Sequence, residues 1–389
     1  MSHGRWRMPL AGTVCAAMAC TSHVPNSPLY VIAQDTTPNA ECRLPNKPLA
    51  RGGLGFPRSV ERMKALGTVR VAVVFVDFAD APARRTPQQV FAMISPKAEQ
   101  YFAAVSYGRM NLILEPSFTW RHMSKLSTAY RMDHGGSLSQ RRALSQEALN
   151  LATEVDFSRT DGFVVISNPD GGAIPFGPAI VGSAGSGVSV GGKEFLNGAI
   201  SGRDLNQRGA LWLNHELGHA LGLPDLYAGG GYNYRFVGGF SVMSLIDGHS
   251  PELFGWERWV LGWIDDAQVS CAPVGTTDVL LTPIERKDEA KIVVARTGPT
   301  TAIVAESRRA EGYDKSERVT PGVVVYLVDT SLEGTAGGLR VLPINDRDQV
   351  KDGIALQPGG VIRYGLSTVT VLSSDSTGDR VRILRRILR

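Results

Sequence analysis

The strongest constraint on how this chain can fold is the segment HELGHALGLPD, residues 215–225. His215 and His219 are four positions apart in a stretch whose apolar residues predict a helix, so both imidazoles project from one face, one turn apart. Two imidazoles in this arrangement can bind one Zn²⁺ ion. Glu216 is placed to contact a water molecule on that ion rather than the ion itself. We therefore expect two histidine ligands, with Glu216 as the general base.

The residues that follow this helix predict a third ligand. Gly222 allows the chain to leave the helix with a positive φ. Pro224 biases Leu223 toward extended backbone, and its ring cannot continue the helix. The chain is thereby turned so that Asp225 faces back toward the two histidines, and we expect Asp225 to complete the metal site.

A glutamate further along the chain is the rival third ligand, as in thermolysin-like enzymes. Glu252 and Glu257 are the candidates downstream of the histidines. Neither has an acidic residue four positions later, where Trp256 and Leu261 stand. This pattern favours Asp225 over either glutamate.

Several motifs resemble a known group of enzymes. Residues 215–225 resemble the extended metzincin signature, with an aspartate where the usual third ligand is histidine. Residues 240–244, FSVMS, resemble the metzincin Met-turn, in which a methionine, here Met243, underlies the metal. Further stretches are similar to the immune inhibitor A family of secreted bacterial metallopeptidases: GFPRS and VRVAVVFVDFADAP within 55–82, SYGRMNL at 106–112, LPDLY at 223–227 and GHSPELFGWERWVLGW at 248–263.

The resemblance implies a zinc endopeptidase that acts on protein or peptide substrates. Peptide bonds would be hydrolysed by a zinc-bound water, with Glu216 as general base and His215, His219 and Asp225 as zinc ligands. The alternative is a non-catalytic extracellular binding protein on the same fold, in which zinc is absent or structural. An intact Glu216 favours the enzyme, because a structural zinc site needs no general base.

The N-terminus predicts export. Arg5 and Arg7 precede a short, mostly small and apolar run, residues 8–20, that ends in Ala-Met-Ala before Cys20. This pattern is typical of a secretory signal peptide, which we place at residues 1–20. A disordered cytosolic leader is one alternative, and lipid anchoring through Cys20 is another. The run is too short to span a membrane, and no later segment is long and apolar enough.

Two cysteines remain after the predicted signal peptide, Cys42 and Cys271. An even pair in an exported protein is compatible with one disulfide. Alternatively, the context of Cys42 resembles the cysteine-switch segments of other metzincins, in which a thiolate occupies the open position on zinc. The disulfide is the simpler interpretation.

The distribution of strand and helix patterns predicts an α+β chain in four parts. We expect a signal peptide at 1–20, a linker or short pro-segment at 21–60, a catalytic domain at 61–270, which the resemblance implies to be metzincin-like, and a β-rich C-terminal region at 271–389. The catalytic part should be a twisted mixed sheet with packed helices, among them the zinc-site helix. Its predicted elements are strands at 69–78, 111–120 and 161–167, helices at 87–106 and 138–154, and a glycine-rich loop with short strands at 171–193.

The remaining residue types predict little further chemistry. The net charge of +4 is small and its basic residues are scattered, so nucleic acid is not an expected partner. We interpret His249 as part of a helix N-cap region, and His122 and His134 as surface residues. The three tryptophans at 256, 259 and 263 are expected to pack beneath the Met-turn.

Overall fold

The longest β-branched run of the chain lies at the centre of a five-stranded sheet. In the computed structural model, strand β1 spans Gly67–Asp77 and pairs in parallel with β2, Met110–His122, and β3, Gly162–Ser167. Residues 71–77 of β1 are all buried, as expected for a parallel strand covered on both faces. The three strands predicted here are confirmed.

The described residues are 39–47, 52–229, 234–287, 289–343 and 355–387. The predicted signal peptide, Cys20 and its lipid-anchor alternative lie outside these ranges, as does much of the predicted linker. Among the described residues, no helix has the length and apolar character needed to cross a membrane.

Two short strands extend this sheet, two others pair with each other in a separate two-stranded sheet, and helices complete this part of the chain. The short strands are β4 (Ala179–Val181), β5 (Val188–Val190), β6 (Lys193–Phe195) and β7 (Asn197–Ile200). The helices are α1 (Pro87–Phe91), α2 (Lys97–Val105), α3 (Leu138–Asn150), α4 (Leu205–Arg208), α5 (Ala210–Ala220) and α6 (Gly255–Val260). The sheet order is β2-β1-β3-β7-β4, with β4 antiparallel to β7 at the edge.

The single helix predicted over 87–106 is wrong in one respect, because it forms two shorter helices. The chain leaves α1 after Phe91 and starts again at Lys97, with Pro96 as the N-cap of α2. A proline has no amide hydrogen to donate within a helix, and its ring disfavours helical backbone at the residue before it. The helix predicted at 138–154 is present as α3 and ends four residues earlier than expected.

Helices cover both faces of the five-stranded sheet. The side chains of Val71, Val73 and Phe75 pack in one core with residues of α2 and α5. The alternating residues of β1, such as Val74, pack in a second core with Leu144 of α3. This period of two along the strand determines that α5 lies on one face and α3 on the other.

The C-terminal region, from residue 269 onward, consists of two further sheets, as the strand-rich pattern predicted. Strands β8 (Val269–Cys271), β10 (Ile292–Arg296), β11 (Thr301–Arg308), β12 (Gly322–Asp329) and β13 (Leu339–Val341) form a five-stranded sheet. Strands β9 (Gly275–Leu281), β14 (Val361–Tyr364), β15 (Ser367–Ser374) and β16 (Asp379–Arg385) form a four-stranded one.

One hydrophobic core joins the C-terminal region to the part of the chain that precedes it. Val294, Val304 and Tyr326 of the C-terminal sheet share a core with Trp256 of α6 and with β1. The opposite face of the same sheet packs on the four-stranded sheet. The predicted domain boundary near Cys271 stays a prediction, while residues 37–389 group as one unit by their internal contacts.

The described part of the predicted linker is packed against this core. Leu44 and Leu54 are buried. Cys42 forms a disulfide with Cys271, with 5.8 Å between the two Cα atoms. The predicted disulfide is confirmed, and the cysteine-switch alternative is wrong, because the Cys42 sulfur is bonded to Cys271.

Candidate metal centre

The helix α5 presents its two histidines about one turn apart and ends shortly after the second. Gly222 has φ +107°, and the amides of Gly222 and Leu223 donate to the carbonyls of His219 and Gly218, both at 2.9 Å. These two bonds define a Schellman motif, which closes a helix by means of a left-handed residue. The chain therefore reverses at Gly222, as the sequence predicted, and returns along the end of the helix.

This reversal brings three donor atoms together. His215 Nε2 and His219 Nε2 are 3.1 Å apart. Asp225 Oδ1 lies 3.2 Å from each of them. Tetrahedral coordination with bonds of about 2.0–2.1 Å separates neighbouring ligand atoms by about 3.3 Å. The three atoms thus have the spacing of three corners of a zinc coordination tetrahedron.

A further observation bears on whether this donor set fits a cation. Asp225 Oδ1 is buried and forms no hydrogen bond of acceptable geometry, although both imidazoles are near. A buried carboxylate oxygen without a hydrogen bond needs a compensating positive charge, which a protonated imidazole or a bound cation can supply. Nitrogen and oxygen donors of this kind suit Zn²⁺, so the residues present fit the ion.

The other nitrogen of each imidazole is held by a backbone carbonyl. His215 Nδ1 lies 2.8 Å from the oxygen of Val242, and His219 Nδ1 lies 2.8 Å from the oxygen of Leu223. Such bonds fix the ring orientation and place the hydrogen on Nδ1, so that the lone pair of Nε2 can bind a metal ion. The Leu226 amide donates to the Met243 oxygen at 2.9 Å, which holds the chain beside Asp225.

The segment resembling a Met-turn lies directly beneath α5. Met243 is fully buried, and a Cβ added to Gly218 would overlap its sulfur. Ser241 has φ +64°, an uncommon conformation for a residue with a side chain. Its hydroxyl accepts from the Met243 amide at 3.2 Å and donates to Glu257 at 2.9 Å. The turn is thus stabilised from below by α6.

The two glutamates that were rival ligands are bound elsewhere. Glu252 forms an ion pair with Arg258 and accepts from the Tyr313 amide at 3.0 Å. Glu257 accepts from Ser241 and from the Phe254 amide, both at 2.9 Å. The structure brings neither of them to the two histidines.

Glu216 lies within the same group of side chains. His215, Glu216 and His219 each offer a donor atom within 4.8 Å of the others. Burial raises the pKa of Glu216, although the adjacent histidines oppose the shift. A raised pKa brings a carboxylate closer to the range in which it can exchange protons near neutral pH.

His219 and Asp225, two of the candidate ligands, have coupled pKa shifts. Burial alone would lower the pKa of His219, but Asp225 outweighs it and raises the pKa to about 9. For Asp225, burial is the largest influence and acts upward, yet His219 and His215 lower its pKa well below the usual range. A metal ion that bound here would therefore have to displace the proton that this pair holds.

A cavity of about 380 Å³ opens in front of these residues. Sequence reasoning missed most of its walls, since they come from separate parts of the chain with no common motif. Besides the histidines, Glu216 and Asp225, the lining residues are His134, Gly135, Arg141, Phe176, Gly177, Pro178, Ala179, Val181, Asp204, Arg208, Tyr227, Tyr234, Ser244 and Ile246.

A second cavity, of about 270 Å³, lies on the other side of His219 and Asp225. Val181, at the end of edge strand β4, borders both cavities. Residues 333–335 of the C-terminal region line the second cavity, and a Cβ on Gly334 would overlap the Asp225 carbonyl oxygen. The C-terminal region therefore forms one wall beside the candidate metal site.

The remaining histidines and tryptophans are placed as follows. His249 is buried against Phe240, with 5.4 Å between the ring centroids. The N-cap predicted around it is wrong, because α6 begins only at Gly255. The side chains of His122 and His134 are 81% and 95% exposed, as predicted. Trp256, Trp259 and Trp263 are buried in the core that contains Met243, also as predicted.

No protein-family model and no curated protein matches this chain. The interpretation of the site therefore depends on the geometry of its own residues.

Proposed function

We propose that this protein is a secreted zinc endopeptidase of metzincin-like architecture, similar to the immune inhibitor A family. The observation that carries the proposal is the set of three donor atoms of His215, His219 and Asp225, spaced 3.1–3.2 Å apart beside the buried Glu216. A purely structural site would gain nothing from a carboxylate with a raised pKa at its open side.

In the proposed reaction His215, His219 and Asp225 hold Zn²⁺. When bound, the zinc would lower the pKa of a water molecule and polarise the substrate carbonyl. Glu216 would act as the base that accepts a proton from the attacking water. Glu216 then gives the proton to the leaving amine, so one carboxylate acts first as base and then as acid.

The edge strand supports a peptide substrate in particular. Strand β4 is the last strand of its sheet among the described residues, and Ala179 and Val181 line the cavity. An extended peptide can add to such an edge through backbone hydrogen bonds, with its side chains entering pockets alternately. A peptide placed there would pass directly over the candidate ligands.

Export is part of the same proposal. A disulfide between Cys42 and Cys271 is characteristic of proteins that fold outside the reducing cytosol. Together with the leader pattern of residues 1–20, it supports secretion, with lipid attachment at Cys20 as the variant to be tested by mass spectrometry of exported protein.

The test combines metal analysis with cleavage. The purified protein should hold one zinc ion per chain and should hydrolyse casein or a peptide library. Glu216→Gln should retain zinc and fold but lose turnover by about 100-fold or more, since general base catalysis contributes that much. Near-normal hydrolysis by this variant, or a wild-type protein that holds zinc but cleaves nothing, would favour the binding-protein alternative.

A further inference from the structure

The cavity in front of the candidate ligands carries two guanidinium groups that the proposed chemistry does not use. Arg141 lies on the first turn of α3, and Arg208 is the last residue of α4. Both line the cavity together with Glu216 and Asp225. They come from separate helices, and the fold brings both to the lining of this cavity.

Arg208 interacts electrostatically with the buried Asp204, but no direct contact to a polar group of a described residue fixes its guanidinium. Within the described ranges, its side chain forms no hydrogen bond and no ion pair, and it is half-buried. None of its nitrogen atoms is sealed off from solvent. The charge therefore faces the cavity and is available to a ligand.

Arg141 is held in place and still has one free nitrogen. Its Nε donates to the carbonyls of Gly135 and Gly136 at 2.8 and 3.1 Å, and its Nη1 donates to the Ala179 oxygen at 2.9 Å. Its Nη2 makes no hydrogen bond to any residue that the structure describes. A fixed guanidinium with one donor left over is well suited to bind a carboxylate.

The balance of charge in the cavity favours an anion once a metal is bound. A divalent ion would neutralise Glu216 and Asp225, which stand beside it. The two arginines then face a single further carboxylate, Asp204, whose pKa is raised by burial and whose Oδ2 accepts from the Gly177 amide. Asp204 and Arg208 do not form an ion pair with each other.

We propose that this cavity binds the carboxylate of an aspartate or glutamate side chain of the substrate, so that the enzyme cleaves peptide bonds next to acidic residues. The inference rests on the proposed peptidase function. Phe176, Pro178 and Ile246 supply an apolar wall for the methylene groups, and Arg208 with Arg141 supplies the donors for the carboxylate.

Blocked peptides that differ at one position test the proposal. With both ends capped, a peptide carrying Glu should be cleaved with a kcat/KM about 10- to 100-fold higher than its Gln counterpart, the usual effect of a charged hydrogen bond. The cleavage site, mapped by mass spectrometry, should keep a fixed distance from the Glu. Equal rates for Glu and Gln, or release of only free C-terminal residues, would overturn the proposal.

Variants at Arg208 give the sharper comparison, because its side chain holds no other element in place. Arg208→Gln should abolish the preference for Glu, and Arg208→Glu should shift the preference toward a Lys-containing peptide. Arg203→Gln is the matched control, since Arg203 is an exposed arginine of the same loop and helix region that does not line the cavity. Loss of the preference in the control, or its survival in Arg208→Gln, would contradict the assignment.

Binding to zinc-loaded Glu216→Gln separates this inference from the proposed function. Fluorescence anisotropy should show tighter binding of the labelled Glu peptide than of the Gln peptide, and the difference should vanish with Arg208→Gln as well. If the wild-type protein has no peptidase activity but still binds the Glu peptide more tightly than the Gln peptide, the proposed function is wrong and the site for an acidic side chain is supported.

Discussion

Asp225 is the residue on which the candidate metal site most depends. It comes after the helix rather than from it, and its Oδ1 is the one candidate ligand atom that is buried without a hydrogen bond. The two histidines would remain one turn apart without it, since α5 sets their positions. Removing Asp225 should therefore affect the metal far more than the fold.

Asp225→Ala should lower zinc affinity by more than about 100-fold, because loss of a residue that merely orients a ligand already costs about 10- to 100-fold. Asp225→His should restore part of the affinity, since imidazole is an equally suitable donor. Competition with a zinc chelator measures both. Asp247→Ala serves as control, because Asp247 is exposed and does not line either cavity beside the site. Unchanged zinc affinity in Asp225→Ala would contradict the ligand set.

Glu257 is a buried carboxylate whose titration should be visible in the stability of the protein. Burial raises its pKa to about 7, against the bonds from Phe254 and Ser241 that favour the charged form. The folded protein thus binds the proton more tightly than the unfolded chain, in which a glutamate has its ordinary pKa of 4.5. The stability from this group is complete below about pH 4.5 and is lost as the pH rises through about 7.

Glu257→Gln should remove this pH dependence. Between pH 4.5 and 8, the free energy of unfolding of the wild type should fall by on the order of 2–3 kcal/mol relative to the variant. Denaturant titrations at a series of pH values, at one fixed zinc concentration, measure the difference. A constant difference across this range would show that Glu257 titrates alike in the folded and unfolded states.

The sequence predicted the residues of the site that lie within one short segment. Local rules sufficed for the helical spacing of His215 and His219 and for the reversal at Gly222. The walls of the cavity were beyond such rules, because Arg141 and Arg208 reach it only through the packing of α3 and α4 around the sheet. The carbonyl of Val242 that orients His215 is likewise a contact between distant segments.

At the level of elements, the break in the predicted helix 87–106 shows where periodicity misleads. Its apolar positions continue across the break, because Phe91 and Phe102 both pack toward the core. Pro96 interrupts the hydrogen bonding between them, and this signal was present in the sequence. The C-terminal strands were easier to predict, since short β-branched runs bounded by turn residues favour strands over helices.

The position of Asp225 in the candidate site depends on how α5 ends. Gly222 has φ +107°, and a Cβ there would lie 3.0 Å from the Arg62 Cγ. Gly222→Ala should cost about 1–2 kcal/mol of stability from the backbone conformation alone. It should also weaken zinc binding, because Leu223 and Asp225 would shift with the turn.

Gly185→Ala is the matched control for this effect. Gly185 also has a positive φ, +77°, but a Cβ there meets nothing within 4 Å. The control should lose a similar amount of stability in thermal unfolding and keep the wild-type zinc affinity. If Gly222→Ala also kept it, the position of Asp225 would not depend on the Schellman turn.

At the scale of the whole molecule, the segment before β1 contacts the start of the C-terminal region through residues 266–271. The Asn39 side chain donates to the carbonyls of Asp266 and Val269 at 2.7 and 3.0 Å, and Arg43 pairs with Asp266 at 2.8 Å. The disulfide from Cys42 then closes a loop with a sequence separation of 229 residues. A cross-link over so long a loop removes much of the entropy of the unfolded chain.

The double variant Cys42→Ser, Cys271→Ser should therefore unfold at a lower temperature than the wild type, with a loss of up to about 5 kcal/mol. It should still fold, because Leu44 and the hydrogen bonds of Asn39 continue to anchor the segment. Its zinc affinity should be unchanged, since neither cysteine lines a cavity beside the metal site. Thermal unfolding at one fixed zinc concentration measures the first effect, and chelator competition measures the second. Peptidase activity that rises when Cys42 alone is replaced would mean that its thiolate can reach the metal, contrary to the disulfide seen in the fold.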